Sequence, residues 1–369
     1  VGGGLTGFAM YFSRRDAVTQ FGTDIMTKKL NIEESKQLIL FGGPGTGKSH
    51  FLVNQALPEL GIDIPSGRSW KTVFHPDYSY GDFMGRLLPT TVDGKVEYNF
   101  FPGHFLEALA GAYKAILRDE DGAPQNCALV IDEINRGNAT AIFGSIFQLL
   151  DRGTDGWSSY SISLSKLEYE HLLQLLGIEV LKSSKSSSAP GYKYNGQLVT
   201  SIEKVLEPIR IVNQQISLPP NLYLLATMNT SETSVYYMDS AFKRRWEWQY
   251  FSPKGQFDRD DDIVFKSSNS DEWRAFLDKL NAFFVKNAVS IRSLEDKQIG
   301  YYFMNKTPIR YSDVQNKLMF FIWDSVFQRD KSPLEVLLGK GSSTTRPLVT
   351  FGDFAAQVRL FVDRVNISV

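Results

Sequence analysis

A glycine-rich segment that directly follows a short apolar run constrains this chain more than any other feature. Residues 37–41 read Gln-Leu-Ile-Leu-Phe, and residues 42–49 read Gly-Gly-Pro-Gly-Thr-Gly-Lys-Ser. An apolar run that ends in glycines predicts a buried strand entering a loop. Residues 42–49 fit the pattern Gly-x4-Gly-Lys-Ser of a phosphate-binding P-loop, and residues 50–53 after them predict the helix that such a loop precedes.

The residue types in this loop indicate what it binds. Glycines let the backbone turn so that its N–H groups point at phosphate oxygens, and the helix that follows adds the positive end of its dipole. We expect Lys48 to reach the β- and γ-phosphates of a nucleotide and the Ser49 hydroxyl to bind Mg²⁺. The alternative is a chance glycine turn beside a surface lysine, and the flanking strand and helix argue against it. The expected phosphate-binding residues are Gly42, Gly43, Pro44, Gly45, Thr46, Gly47, Lys48, Ser49 and His50.

An acidic pair follows a second apolar run. Residues 127–131 (Cys-Ala-Leu-Val-Ile) predict a buried strand, and Asp132 and Glu133 come directly after it. A carboxylate at the end of such a strand can hold Mg²⁺ through water, and its neighbour can orient and polarise an attacking water. An acidic pair at a strand end is common by itself, but the P-loop upstream favours the functional interpretation.

A third apolar run ends in an amide side chain. Residues 221–228 predict a strand, and Asn229 follows. In a parallel sheet this strand can lie between the strands that lead to Lys48 and Asp132. Asn229 would then face the γ-phosphate and the water. The alternative is an asparagine that merely forms a turn.

Three consecutive cations, Lys243, Arg244 and Arg245, lie near a further strand predicted at residues 247–251. Phosphoryl transfer gains from an arginine supplied by a neighbouring subunit. A solvated or nucleic-acid-binding basic turn would have the same composition. The spacing alone leaves both interpretations open.

Strand patterns, with a further one at residues 71–75, alternate with helical patterns at 103–117, 139–150 and 164–176 as far as about residue 253. This alternation predicts a parallel α/β sheet with right-handed crossovers. Beyond it, apolar stripes at helical spacing predict a smaller, mainly helical domain, and one stripe at residues 273–284 has Ser270 or Asp271 as its candidate N-cap. We therefore predict a nucleotide-binding core over residues 1–252 and a helical lid over residues 253–369. An insertion at about 153–217 interrupts the core, and its serine-rich run at 183–188 is typical of a mobile loop.

Composition excludes several classes of protein. With 40 basic and 41 acidic residues, the formal net charge is −1, which excludes a globally basic nucleic-acid coat. The single cysteine, Cys127, excludes an intrachain disulfide and a cysteine-cluster zinc site, and fits a cytoplasmic location. No apolar run approaches the roughly 20 residues needed to cross a bilayer, so we expect no membrane partner. The start at Val1, without an initiator Met, predicts a further domain before it.

Several strings together carry a resemblance to a family. They resemble the McrB branch of the AAA+ ATPases, the NTP-driven motor subunits of modification-dependent restriction systems. The resemblance spans roughly residues 36–338. The strings are residues 74–83 (Phe-His-Pro-Asp-Tyr-Ser-Tyr-Gly-Asp-Phe), 131–136 (Ile-Asp-Glu-Ile-Asn-Arg), 226–230 (Ala-Thr-Met-Asn-Thr), 239–246 (Asp-Ser-Ala-Phe-Lys-Arg-Arg-Trp) and 299–303 (Ile-Gly-Tyr-Tyr-Phe).

The resemblance implies a role for each matching residue, on a five-stranded parallel AAA+ sheet flanked by helices. Lys48 and Ser49 would bind phosphates and Mg²⁺, Asp132 the metal, Glu133 would be the catalytic carboxylate and Asn229 the sensor. Arg244 and Arg245 would reach into the next subunit's site, with Arg136 as a third candidate. One departure lies at residues 231–233, Ser-Glu-Thr, where the family often has a small residue, Asp and Arg. Glu232 would replace that Asp as a water-ordering group.

The resemblance also implies an activity and partners. We expect a ring-forming NTPase, a hexamer, that hydrolyses GTP or ATP with Mg²⁺ and drives an McrC-like nuclease subunit. DNA would be bound through a separate N-terminal domain or the partner, since the chain has no Asp…Glu-x-Lys nuclease pattern in a suitable strand context. The alternatives are a chaperone-like remodeller of the MoxR or dynein-related group, and a nucleotide switch with negligible turnover, against which Glu133 argues.

Overall fold

The computed structural model describes residue 32 and residues 35–92, 94–119, 122–181, 191–230, 236–253, 261–304, 306–339 and 348–367. The strands, in chain order, are β1 (Gln37–Gly42), β2 (Ser69–Val73), β3 (Gly85–Val92), β4 (Lys95–Pro102), β5 (Cys127–Asp132), β6 (Ile162–Ser163), β7 (Ile178–Leu181), β8 (Gly191–Tyr194), β9 (Gln197–Val199), β10 (Gln215–Ile216), β11 (Leu222–Asn229), β12 (Glu247–Phe251), β13 (Ile263–Phe265) and β14 (Ile309–Arg310).

The helices alternate with these strands in the first two thirds of the chain and dominate the last third. They are α1 (Lys48–Phe51), α2 (Leu57–Glu59), α3 (Tyr80–Met84), α4 (His104–Leu117), α5 (Ala139–Phe143), α6 (Lys166–Leu175), α7 (Ile202–Leu206), α8 (Ser240–Arg244), α9 (Asp271–Lys286), α10 (Tyr311–Asp313), α11 (Ser332–Leu337), α12 (Phe351–Ala355) and α13 (Val358–Ile367). Wide π-type turns over Leu52–Ala56 join α1 to α2, and similar turns continue α10 over Val314–Met319.

A five-stranded parallel sheet forms the centre of the fold. Its strand order is β12-β1-β11-β5-β2, and every neighbouring pair is parallel. The order confirms the expectation that β11 lies between β1 and β5. Strands β1 and β11 are buried along their whole length, as expected for a parallel sheet covered on both faces. The carboxyl ends of the strands therefore meet at one edge of the sheet, where the P-loop, Asp132 and Asn229 lie.

Helices cover both faces of this sheet. Helix α4 begins one residue after the predicted start at Gly103 and buries a continuous apolar stripe. The helix predicted over residues 139–150 is shorter, because α5 ends at Phe143 and the chain continues in tighter turns over Gly144–Leu150. A glycine at 144 with a φ of 49° allows this change of direction.

Two structures interrupt the alternation of strands and helices. Strands β3 and β4 form an antiparallel hairpin between α3 and α4, which the sequence pattern did not predict. The expected insertion contains α6, which confirms the helix predicted at 164–176, and a small antiparallel sheet of β7, β8 and β9. The serine-rich run at 183–188 lies outside the described residues.

The side chain of Arg152 fastens both ends of the insertion to the sheet. Its Nε donates to Gln37 Oε1 on β1, at 2.9 Å. Its two terminal nitrogens donate, at 3.0–3.1 Å, to backbone carbonyls on both sides of the insertion. These carbonyls belong to Gly156, Leu218, Pro219 and Leu222. The guanidinium of Arg152 therefore forms hydrogen bonds to both ends of the insertion, where the chain leaves the core and where it returns.

The C-terminal third is helical and packs on the strands next to the P-loop. Helix α9 begins where predicted, with the Ser270 hydroxyl accepting from the backbone N–H of Trp273. The ring of Phe41 on β1 lies 4.1 Å from the ring of Phe320, centroid to centroid. The segment 254–260, directly after the predicted domain boundary, lies outside the described residues. None of the helices in the described ranges combines the length and apolar character needed to cross a membrane.

Candidate active site

The P-loop leaves the end of β1 with its glycines in conformations that other residues rarely adopt. Gly45 and Gly47 have φ values of 75° and 87°, and no atom lies within 4 Å of where a Cβ would stand on either. The Lys48 side chain is buried against the loop. Its Nζ donates to the carbonyls of Gly42 and Gly43, at 3.2 and 2.7 Å. The loop is therefore open on its glycine side and holds a buried cation on the other.

Asn229, at the end of β11, joins the P-loop to the acidic pair. Its side-chain oxygen accepts a hydrogen bond from Lys48 Nζ at 2.8 Å, and its side-chain nitrogen donates to Glu133 Oε1 at 2.5 Å. The Asn135 amide donates to the backbone carbonyl of Asn229 at 2.8 Å and holds the strand end in place. Three residues predicted separately from three strand ends thus form one hydrogen-bonded path.

Glu133 has a strained backbone. Its φ is 55°, in the left-handed region, which costs a non-glycine residue about 1–3 kcal/mol and is typical of functional sites. The Glu133 N–H donates to Thr227 Oγ1 at 3.2 Å, and Arg136 Nε lies 3.8 Å from Glu133 Oε2. The turn directs this carboxylate toward Asn229 and away from the line of the strand.

The two oxygens of Asp132 face different partners. Oδ1 accepts from Ser49 Oγ at 3.2 Å and from Thr227 Oγ1 at 3.0 Å. Oδ2 forms an ion pair with Lys71 Nζ at 2.8 Å. Sequence reasoning missed both Thr227 and Lys71. Thr227 belongs to the string 226–230 that carried the resemblance, whereas Lys71 left no signal in the sequence.

The chemistry of Ser49 and Asp132 fits Mg²⁺, which takes oxygen ligands in an octahedral shell. Their facing oxygens lie 3.2 Å apart, close to the spacing of about 2.9 Å between adjacent ligands in such a shell. Both side chains come from elements that meet at the P-loop edge, α1 and β5. These two residues would hold the metal.

The two neighbouring arginines after α8 have different surroundings. Arg244 is exposed. The Arg245 side chain is only 10% exposed, and its guanidinium contacts Asp151 Oδ2 at 2.7 Å and the Ala241 carbonyl at 3.0 Å. It also lies 4.0 Å from the ring centre of Phe147. Arg245 is therefore held by contacts within the chain, whereas Arg244 is exposed to solvent.

His50 and Glu232 are the remaining predicted site residues. His50 is exposed on α1, and its carbonyl accepts a hydrogen bond from Asn54. Glu232 lies outside the described residues.

Comparison with known proteins finds an AAA domain in the part of the chain that contains the P-loop and the acidic pair. Residues 37–188 match the family model for the AAA domain (dynein-related subfamily). The chain is 28% identical over 320 residues to the YdiS component of the type II restriction enzyme BsuMI of Bacillus subtilis, and the match covers 79% of each protein. It is 23% identical over 230 residues to the EcoKMcrB subunit of a type IV methyl-directed restriction enzyme of Escherichia coli.

These similarities support an AAA+ protein that resembles the McrB-like restriction subunits. The EcoKMcrB match covers 62% of this chain and 38% of the relative. A putative ATPase of solved structure from Cytophaga hutchinsonii aligns over 92% of this chain and 86% of its own, with a TM-score of 0.30 and 14% identity.

The AAA domain that residues 37–188 match implies NTP hydrolysis in general, with a nucleotide as substrate and usually Mg²⁺. The matched residues 37–188 include the P-loop and the acidic pair of this McrB-like chain but end before Asn229 and Arg244. The placement of Asn229 therefore rests on the sheet order and its hydrogen bonds.

Proposed function

We propose that this chain is the nucleoside triphosphatase subunit of an McrBC-like restriction system. In this proposal it forms a ring in the cytoplasm, a hexamer, hydrolyses GTP or ATP with Mg²⁺, and drives a partner nuclease on DNA. One observation carries the proposal. The hydrogen-bonded path Lys48–Asn229–Glu133 runs beside the Ser49–Asp132 pair across the ends of three neighbouring strands.

Each residue of this path has a defined task. The P-loop N–H groups and Lys48 bind the phosphates and oppose the negative charge that develops on them. Glu133 accepts a hydrogen bond from the attacking water and polarises it. Asn229 fixes the positions of Glu133 and Lys48 relative to each other, so the water stays aligned with the phosphate. Bound Mg²⁺ would supply further neutralisation of phosphate charge.

We propose that Arg244, rather than Arg245, is the arginine supplied to the neighbouring subunit. Arg244 is exposed at the end of α8, whereas Arg245 is committed to Asp151. An arginine that stabilises phosphoryl transfer from outside the site is worth about 10³–10⁵ in rate where it has been measured.

The first test is steady-state hydrolysis of ATP and of GTP, compared in parallel because the P-loop does not read the base. We expect Lys48→Ala to abolish nucleotide binding, and Glu133→Gln to retain binding while losing turnover. Turnover by Glu133→Gln near the wild-type rate would refute the assignment of Glu133.

The second test mixes inactive variants. Arg244→Ala and Glu133→Gln should each be inactive alone. A 1:1 mixture should recover about a quarter of the wild-type rate, because a head-to-tail ring then contains sites with an intact Glu133 facing an intact Arg244. A mixture of Lys48→Ala with Glu133→Gln is the matched control, since both changes affect the same site and cannot complement. Equal recovery in the two mixtures, or none in either, would contradict the proposal for Arg244.

The nuclease partner and DNA are separate parts of the proposal. The two restriction-enzyme relatives support them. The second candidate, a chaperone-like remodeller of protein complexes of the MoxR or dynein-related group, fits the comparisons less well. Affinity capture of the Glu133→Gln variant with bound nucleotide distinguishes the two. A nuclease subunit among the captured proteins supports restriction, and a metal-insertion or complex-assembly partner supports remodelling.

A further inference from the structure

Lys71 lies on β2, the edge strand of the sheet, and its ammonium contacts the carboxylate that would bind Mg²⁺. Val73 pairs with Asp132 in the β2–β5 register, so Lys71, two residues earlier, lies on the same face of the sheet. Its side chain extends along the strand and places Nζ 2.8 Å from Asp132 Oδ2. The Asp132 side chain is 14% exposed and that of Lys71 is 54% exposed.

The two sides of the Asp132 carboxylate have different chemistry. Oδ1 receives two hydroxyl groups, those of Ser49 and Thr227, and therefore faces the P-loop. Oδ2 receives the positive charge of Lys71. Removing a carboxylate from water is costly unless an opposite charge or hydrogen bonds compensate it. Lys71 provides that charge from outside the P-loop.

We propose that Lys71 is the counter-ion of Asp132 while the site holds no metal, and that Lys71 thereby sets the Mg²⁺ concentration at which the site loads. The inference rests on the proposed function, because it takes Ser49 and Asp132 as the metal-binding residues. A divalent cation on Oδ1 and an ammonium on Oδ2 repel each other across one carboxylate. Because Lys71 is half exposed on a flexible stem, its ammonium can move into water when the metal binds.

Removing the charge at position 71 should therefore tighten metal binding. The experiment measures Mn²⁺ binding by electron paramagnetic resonance, with saturating ADP and separately with saturating GDP. We expect Lys71→Gln to bind Mn²⁺ about three- to tenfold more tightly than the wild type, and Lys71→Arg to match the wild type. Lys166→Gln is the matched control, since Lys166 also forms an ion pair but is 85% exposed on α6.

Unchanged or weaker Mn²⁺ binding by Lys71→Gln would overturn the proposal. Weaker binding would mean that Lys71 orients Asp132 for the metal, and unchanged binding would mean that the pair has no influence on the metal. A wild-type protein that bound no Mn²⁺ with either nucleotide would overturn the proposed function as well. Tight wild-type binding with no change in Lys71→Gln would overturn only the role of Lys71.

Thermal unfolding in EDTA, without nucleotide, provides a second and independent readout. We expect Lys71→Gln to unfold at a lower temperature than the wild type, because Asp132 then lacks its counter-ion. In an Asp132→Asn background the same change at Lys71 should have no further effect. A Lys71→Gln protein as stable in EDTA as the wild type would also overturn the proposal.

Discussion

The side chain of Asn229 accepts one hydrogen bond and donates another within the candidate active site. Its oxygen accepts from Lys48 and its nitrogen donates to Glu133. An aspartate at this position would keep the acceptor but lose the donor, and would repel the Glu133 carboxylate. The amide is thus the side chain that fits between a cation and an anion.

We predict that Asn229→Ala and Asn229→Asp each lower kcat by about 10²-fold, because Glu133 loses the group that orients it. Nucleotide binding should change by less than about threefold, since the P-loop remains intact. The measurement is kcat and KM, together with nucleotide binding at equilibrium. If Asn229→Asp kept the wild-type kcat, the contact with Lys48 alone would account for the role of Asn229. Asn54→Ala, in the π-type turns that follow α1, is the control and should leave kcat unchanged.

The meeting of Lys48, Asp132 and Asn229 was predictable because each residue follows an apolar strand, and parallel strands end at a common edge. Lys71 and Asp151 were not predictable in this way. Lys71 is far from Asp132 in the sequence, and Asp151 is far from Arg245, so neither ion pair leaves a local pattern. The distinction between Arg244 and Arg245 also needed the structure, because adjacent arginines look equivalent in sequence.

At the scale of elements, β1 and β12 lie close together where the P-loop begins. A Cβ on Gly42 would lie 2.2 Å from the backbone oxygen of Phe251, and the φ of Gly42 is 153°. Gly43 has more room, with Pro253 and Thr46 atoms at 3.9 Å. The first glycine of the loop therefore serves the packing of the sheet as well as nucleotide binding.

We predict that Gly42→Ala lowers the free energy of unfolding by about 2–3 kcal/mol, because a backbone oxygen cannot yield as a flexible side chain can. Gly43→Ala should stay within about 0.5 kcal/mol of the wild type. Urea unfolding of the two variants checks this difference. Equal stability of Gly42→Ala and Gly43→Ala would show that β12 shifts to accommodate the methyl group.

Element boundaries were predictable where burial is complete and less so at the sheet edge. Strand β12 begins and ends where the sequence predicted, at Glu247 and Phe251. The prediction for β2, residues 71–75, is displaced by two residues from Ser69–Val73. Strand β2 is only partly buried, so its apolar pattern is weak. The β3–β4 hairpin was missed because several of its apolar side chains, Leu87 and Tyr98 among them, are exposed and follow no alternation.

On the scale of the whole molecule, a charge network joins the sheet to the C-terminal helices. Glu247 on β12 lies 3.0 Å from Lys306 Nζ and 3.4 Å from Lys317 Nζ. Burial alone would raise the pKa of Glu247, but the two lysine charges and their hydrogen bonds outweigh it and lower the pKa to about 2.

This network predicts a pH dependence of stability. Between pH 4.5, the ordinary value for glutamate, and about pH 2, the unfolded chain binds a proton that the folded chain does not. The contribution of Glu247 is therefore complete above pH 4.5 and is lost as the pH falls toward 2. We expect Glu247→Gln to be less stable than the wild type by about 2 kcal/mol at pH 7, with the difference shrinking as the pH falls below 4.5.

Urea unfolding at several values between pH 7 and pH 3 measures this difference. Glu272→Gln, an exposed change on α9, is the control and should track the wild type throughout. A difference between Glu247→Gln and the wild type that did not depend on pH would mean that packing, and not charge, stabilises the junction.

The contact between Phe41 and Phe320 limits how the sheet and the C-terminal helices can be recombined. Phe41 lies directly before the P-loop, and Trp248 and Tyr250 on the next strand pack around it. A recombination event that exchanged the C-terminal helices near residue 253 would leave these three rings against an unrelated surface. The two parts of the chain look like separable units in the sequence, yet we expect substitutions on the two sides of this aromatic junction to be coupled in their effect on stability.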